Sequence, residues 1–115
     1  MSARDRHSLA RASRIHASVF AALGDETRLS LVAKLCESSP QSISRLTEGT
    51  RLTRQAVTKH LQVLQNAGIA QSLRVGRERQ YGLDTKPIDS AKIYLDGVSR
   101  QWDEALARLK SFVEA

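Results

Sequence analysis

The sequence predicts a mainly α-helical domain carrying one small β-hairpin. Three observations point there. Apolar residues recur at helical spacing through most of the 115 residues. Residues 69–83 switch to the alternation of strands. Gly24, Pro40, Gly49, Gly68 and Gly76 then cut the chain into segments of element length.

Met1 to His7 is polar and basic, and is expected to fray. A first helix follows from about Ser8 to Leu23. Its Ile15, Val19 and Leu23 fall four apart, with Ala12, His16 and Phe20 beside them. Gly24 stops it, and Asp25 is suited to cap a second helix over Glu26 to Glu37. Leu29, Val32, Ala33 and Cys36 have the spacing of its buried side, so Cys36 reads as a small core residue. Pro40 prevents continuation.

A short third helix is expected over Ile43 to Glu48, with Gly49 as the turn. Thr53 caps a fourth helix that reaches Ala67, and Gly68 breaks it. Ala56, Val57, Leu61, Leu64 and Ala67 face inward there. Arg54, Gln55, Thr58, Lys59 and Gln62 form one continuous polar face. In the hairpin Ile69, Leu73 and Val75 alternate with polar residues, as do Tyr81 and Leu83. Gly76, Arg77 and Glu78 make a basic tip. A last helix runs from about Ile88 to Val113. Ile88, Leu95, Trp102 and Leu109 repeat every seven residues, as do Ala91, Val98, Ala105 and Phe112. Gly97 interrupts it at a cost of about 1 kcal/mol.

The charge is +6, from 18 Lys and Arg against 12 Asp and Glu. Residues 1–24 carry four Arg and one Asp, whereas residues 87–115 carry four basic and five acidic side chains. Between Arg51 and Arg79 lie Arg54, Lys59, Arg74 and Arg77, with Glu78 the one acid. Positive charge clustered in this way favours a polyanion such as nucleic acid. No apolar run reaches the roughly 18 residues of a membrane span. The first eighteen residues carry Arg4, Asp5, Arg6, Arg11 and Arg14 and show no apolar h-region, so no secretory leader is expected. One cysteine excludes an intrachain disulfide and a multi-Cys zinc site. The expectation is one cytoplasmic domain over residues 1–115, with no membrane partner.

Helix, short helix, Gly turn, helix and hairpin is the order of a winged helix-turn-helix, here residues 42–67 followed by a wing at 69–83. In such a unit the second helix presents a polar face to the major groove of double-stranded DNA. Thr53, Arg54, Gln55, Thr58, Lys59 and Gln62 supply that face. Arg suits guanine and Gln adenine, while Lys and Thr suit phosphates or base edges. His60, on the same helix, is counted with the DNA-binding set and is expected to pack near the helix-turn-helix or touch a phosphate, not to bind metal. Arg74, Arg77 and Arg79 would reach the backbone or the minor groove from the wing. Three His, one Cys and scattered carboxylates form no nucleophile–base pair, and no Gly-rich phosphate loop is present, so no enzyme is expected.

Four segments resemble the ArsR-type winged-helix transcriptional repressors. They are VFAALGDETRLSLVAKL from Val19, LTRQAVTKHLQVLQNAGIA from Leu52, GRERQYGLD from Gly76 and RQWDEALARLKSFVE from Arg100. The chain departs from that family in carrying Glu26 where Pro is usual, and in a longer, more basic start. The resemblance implies that the helix at Thr53–Asn66 is the recognition helix. It also implies that the first and last helices build a homodimer, which places Val19, Leu95, Val98, Trp102, Leu106, Leu109 and Phe112 at the interface.

Part of the dimer expectation stands without the resemblance. The last helix would be about 39 Å long, more than a domain of this size covers. An exposed stripe containing Trp102, Leu109 and Phe112 calls for a partner. Relatives that sense metals use Cys pairs on the third helix or Asp, His and Glu sets on the last one. This chain has no Cys in Ile43–Glu48 and no His in Ala91–Glu114. His7, His16 and Cys36 lack ligand spacing. No metal or cofactor is therefore expected, and an inducer would be a small molecule or a protein. Two other readings stay open: a metal-responsive repressor with an unfamiliar site, and a winged-helix module for protein interaction.

Overall fold

The computed structural model describes the backbone of residues 3–115 and the side chains of residues 11 and 13–115. The elements are α1 (Ala3–Leu23), α2 (Glu26–Glu37), β1 (Gln41–Ser42), α3 (Ile43–Thr47), α4 (Arg54–Asn66), β2 (Ala70–Val75), β3 (Glu78–Leu83) and α5 (Lys86–Glu114). The fold is mainly helical with a small antiparallel sheet, the winged helix-turn-helix order. α1 starts at Ala3 rather than Ser8, because nothing between Ala3 and Leu23 breaks a helix. The stretch 3–7, expected to fray, is thus helical; residues 1 and 2 lie outside the described residues. α5 starts at Lys86, two residues early, with Pro87 in its first turn. Proline's missing N–H costs nothing there.

One apolar core joins all five helices and the sheet. It contains Val19 and Ala22 of α1, Leu31 and Leu35 of α2, and Leu46 of α3. Val57, Leu61 and Leu64 come from α4, Ile69, Ala70 and Tyr81 from the wing, and Ala91 from α5. Each fully buried Leu, Ile or Val contributes about 1.5–3 kcal/mol of transfer free energy.

Three expectations change here. Val19, expected at a subunit interface, is 2% exposed inside this core. α1 packs against α2 and α4 along that stripe, so its side chain is already used. In α2 the buried face is Leu31 and Leu35, while Leu29, Ala33 and Cys36 are exposed. The helix carries two apolar stripes, and its neighbours select Leu31 and Leu35. Cys36 is consequently an exposed free thiol, not a core residue.

The sheet gains a strand with no sequence signature. β1 pairs with β3 through Gln41↔Tyr81 and Ser42↔Gln80, giving the order β1-β3-β2. Gln41 Nε2 donates to the Lys34 carbonyl at 2.6 Å and to that of Ser38, which ties β1 to the end of α2. The β2–β3 hairpin runs in register from Ala70↔Leu83 to Val75↔Glu78. Its loop is Gly76 and Arg77, with φ +64° at Gly76 and a negative φ at Arg77. A positive φ at the first loop position alone is the type II′ pattern, which glycine adopts without strain.

Candidate nucleic-acid interface

The helix-turn-helix is held by its own polar groups. Lys34 of α2 reaches across to donate to the carbonyls of Leu46 at 3.2 Å and Glu48 at 3.3 Å. These are end-of-helix acceptors of α3 that otherwise lack partners. Thr50 Oγ1 donates to the Thr47 carbonyl at 2.7 Å and accepts from the Leu52 amide at 3.3 Å. Thr53 Oγ1 then accepts from the Ala56 amide at 3.1 Å, the N-cap expected for α4.

α4 splits cleanly into two faces. Val57, Leu61 and Leu64 are fully buried. Arg54, Gln55, Thr58, Lys59 and Gln62 are exposed, as is the cap Thr53. Thr58 Oγ1 donates to the Arg54 carbonyl at 2.7 Å, and Gln62 Nε2 donates to Asn66 Oδ1 at 2.9 Å. Thr58 and Gln62 are thus partly committed to their own helix. Arg54, Gln55 and Lys59 have no side-chain hydrogen bond among the described residues.

The end of α4 aims the wing. The Ile69 amide donates to the Leu64 carbonyl and the Gly68 amide to that of Gln65, both at 2.9 Å. With φ +78° at Gly68, this is a Schellman ending. It turns the chain directly into β2. Gln65 Nε2 donates to Ser72 Oγ at 3.1 Å, so the face of β2 bearing Ser72 meets α4. Side chains alternate across a strand, so Arg74 shares the Ser72 face and Arg79 shares the Tyr81 face. Ser72 pairs with Tyr81 and Arg74 pairs with Arg79. The two arginines therefore sit together on the α4 side of the hairpin, and Arg77 occupies its exposed tip.

His60 lies apart from the other residues of the expected DNA-binding set. It is half-buried and turned away from the exposed face of α4. Its Nδ1 lies 3.3 Å from Arg28 Nη1 and 3.8 Å from Asp25 Oδ2, both at the start of α2. Asp25 caps α2 by accepting from the Arg28 amide at 2.9 Å. That hydrogen bond, aided by the Arg28 charge, holds the Asp25 carboxyl below the usual carboxylate range. Sequence reasoning recognised Asp25 as a cap but missed Arg28. The only signal was an arginine three residues past the cap, and what it would meet lay 32 positions further on.

Along α5 the apolar stripe is bare. Leu95, Val98, Trp102, Leu106, Leu109 and Phe112 are all exposed, Trp102 by 64% and Phe112 by 80%. The first half of α5 packs on α1, where His16 stacks on Tyr94 with ring centroids 4.6 Å apart. Among the described residues, no group of three or more His, Cys, Asp or Glu could hold a metal ion. A small open cleft of about 250 Å³ lies between the first turn of α2 and the helix-turn-helix. Leu31, Leu52 and Val57 line it, with Glu26 and Arg51 also at its walls. No helix among the described residues is long and apolar enough to cross a membrane.

Comparison with known proteins agrees with this geometry. Residues 25–72, from the cap of α2 into β2, match the bacterial regulatory protein family arsR. The uncharacterized HTH-type transcriptional regulator YuzN of Bacillus subtilis is 35% identical over 77 residues, covering 62% of this chain and 84% of that protein. The HTH-type transcriptional regulator Rv2034 of Mycobacterium tuberculosis is 30% identical over 94 residues, covering 82% of this chain and 84% of its own. A solved ArsR-like transcriptional regulator from Rhodococcus sp. RHA1 superposes with a TM-score of 0.75 at 37% identity, over 87% of this chain and 93% of that one. With its groove-sized helix, its basic wing and these relatives, the chain belongs to the arsR family of bacterial regulatory proteins and is a DNA-binding transcriptional regulator.

Proposed function

We propose that the chain acts in the cytoplasm as a homodimeric repressor that binds a palindromic operator and occludes a promoter. The observation that carries this reading is the joint placement of the exposed α4 face and the wing arginines. Arg54, Gln55, Thr58 and Lys59 lie on the first turns of a capped helix, where major-groove readers place their base contacts. Arg74, Arg77 and Arg79 lie on the hairpin next to that helix, suited to phosphates. Gln62 extends the same α4 face toward the wing.

The dimer is supported by the α5 stripe. Six large apolar side chains from Leu95 to Phe112 stay exposed on one chain. A second copy offers the same stripe, and a two-fold axis through it is self-complementary. Two recognition helices would then meet successive major grooves, roughly 34 Å apart. In vitro selection of bound duplexes tests the whole reading, run with and without metals and chelator. A two-fold sequence with fixed spacing, bound equally in chelator, supports it. Selection of unrelated single sites or metal-dependent binding would overturn it.

A further inference from the structure

Arg28 makes three contacts that join the dimerising part of the chain to the DNA-reading part. Its Nε donates to the Ala22 carbonyl at 2.6 Å and its Nη2 to the Ala21 carbonyl at 3.3 Å. Both carbonyls belong to the last turn of α1, whose acceptors have no partner within the helix. The third contact is Nη1 to His60 Nδ1 at 3.3 Å, in the middle of α4. A guanidinium is planar and its donors point in fixed directions, so these three contacts share one geometry. α1 in turn packs along α5. The core holds α4 through Val57, Leu61 and Leu64, but apolar contacts are non-directional. Arg28 and His60 supply the directional restraint on how α4 lies relative to α1.

We propose that Arg28 and His60 are specificity-determining positioning residues: they fix the angle of the recognition helix to the dimerising helices, and thereby the half-site spacing the dimer accepts. The inference rests on the homodimer reading above. His60 does not read DNA in this arrangement. It transmits the position of α1 to a helix whose other face does the reading. A dimer with a loosened α4 would still bind each half-site, because Arg54, Gln55 and Lys59 are untouched. It would lose the discrimination between operators whose half-sites differ in separation.

The test compares wild type, His60→Phe, His60→Asn and Arg28→Lys on operators whose central spacer is lengthened or shortened by one or two base pairs. Phe keeps the ring and removes the acceptor. Asn restores an acceptor near the Nδ1 position. Lys keeps the charge and loses the fork. A thermal melt establishes that each variant is folded, and a duplex with one half-site measures reading alone. Wild type and His60→Asn are expected to show a sharp spacing optimum. His60→Phe and Arg28→Lys should flatten that preference by roughly tenfold, the scale of one hydrogen bond to a charged group. Affinity for the single half-site should stay within about twofold in all four, since no base-reading side chain has changed. Equal spacing preference in all four proteins overturns the proposal. So does a loss in His60→Phe that is uniform across spacers and half-site, which would make His60 a DNA contact or a fold residue. If wild type itself shows no spacing preference, the palindromic homodimer reading fails and the inference falls with it.

Discussion

Arg74 and Arg79 face each other directly across β2 and β3, one pair before the loop. Like charges opposed on an antiparallel pair destabilise it by a few tenths to about 1 kcal/mol. A free hairpin gains nothing from this arrangement, whereas a hairpin against phosphates has its charge compensated. Arg79→Ala should therefore raise the melting temperature slightly while weakening binding to every duplex. The slope of log affinity against log salt should become shallower by about 0.9 for each phosphate that is no longer neutralised. A variant that melts lower and binds equally well would remove the wing from the interface.

Gln55 and Arg77 are expected to fail differently. Gln55 is exposed on the second residue of α4, within base-edge reach for a groove-lying helix. Gln55→Ala should relax preference at one operator position by about 1–3 kcal/mol and leave the others intact. Arg77 is at the wing tip, and Arg77→Ala should weaken all sequences alike. Affinities over a panel of single-base operator variants separate the two patterns. Equal losses for Gln55→Ala on every sequence would deny it a base-reading role.

Asp25 makes stability depend on acidity in a defined direction. Its carboxyl is held low in the folded chain, first by the Arg28 amide. The unfolded chain therefore takes up that proton at a higher pH than the folded one. The resulting stabilisation is complete above the ordinary carboxylate range and is lost as pH falls through the lowered folded value. Asp25→Asn keeps a capping oxygen and removes the charge. Urea midpoints should favour wild type at neutral pH, with the difference closing in acid. A difference that persists unchanged in acid would place the effect elsewhere than in the charge.

Trp102→Ala separates assembly from folding. Within one chain Trp102 is 64% exposed, so its truncation removes little internal packing. At a buried helical interface such a residue carries on the order of 2 kcal/mol or more. Sedimentation should show a shift toward monomer, and operator affinity should fall with it. An unchanged association state would exclude the α5 stripe as the subunit contact.

The parts of this fold that were legible in the sequence depend on neighbours along the chain. Thr53 caps α4 because the amide it meets is three residues away. The polar face from Arg54 to Gln62 follows from helical periodicity alone, and Gly68 ends the helix because its own φ is positive. The hairpin and its basic tip are likewise local. So is the apolar stripe of α5, which among the described residues stays exposed from Leu95 to Phe112.

What tertiary structure decided are the choices local sequence leaves degenerate. α2 carries two apolar stripes, and only its packing among α1, α4 and β3 buries Leu31 and Leu35 rather than Leu29 and Cys36. β1 is two residues long and becomes a strand only because Gln80 and Tyr81 are there to pair with it. Val19 is committed to the core, not to a partner, by contacts with elements that follow it. His60 sits on the reading helix yet turns to Arg28, a residue 32 positions earlier. Periodicity states which side chains share a face. Which face meets which neighbour depends on contacts distant in sequence, and these form only when the chain closes on its core.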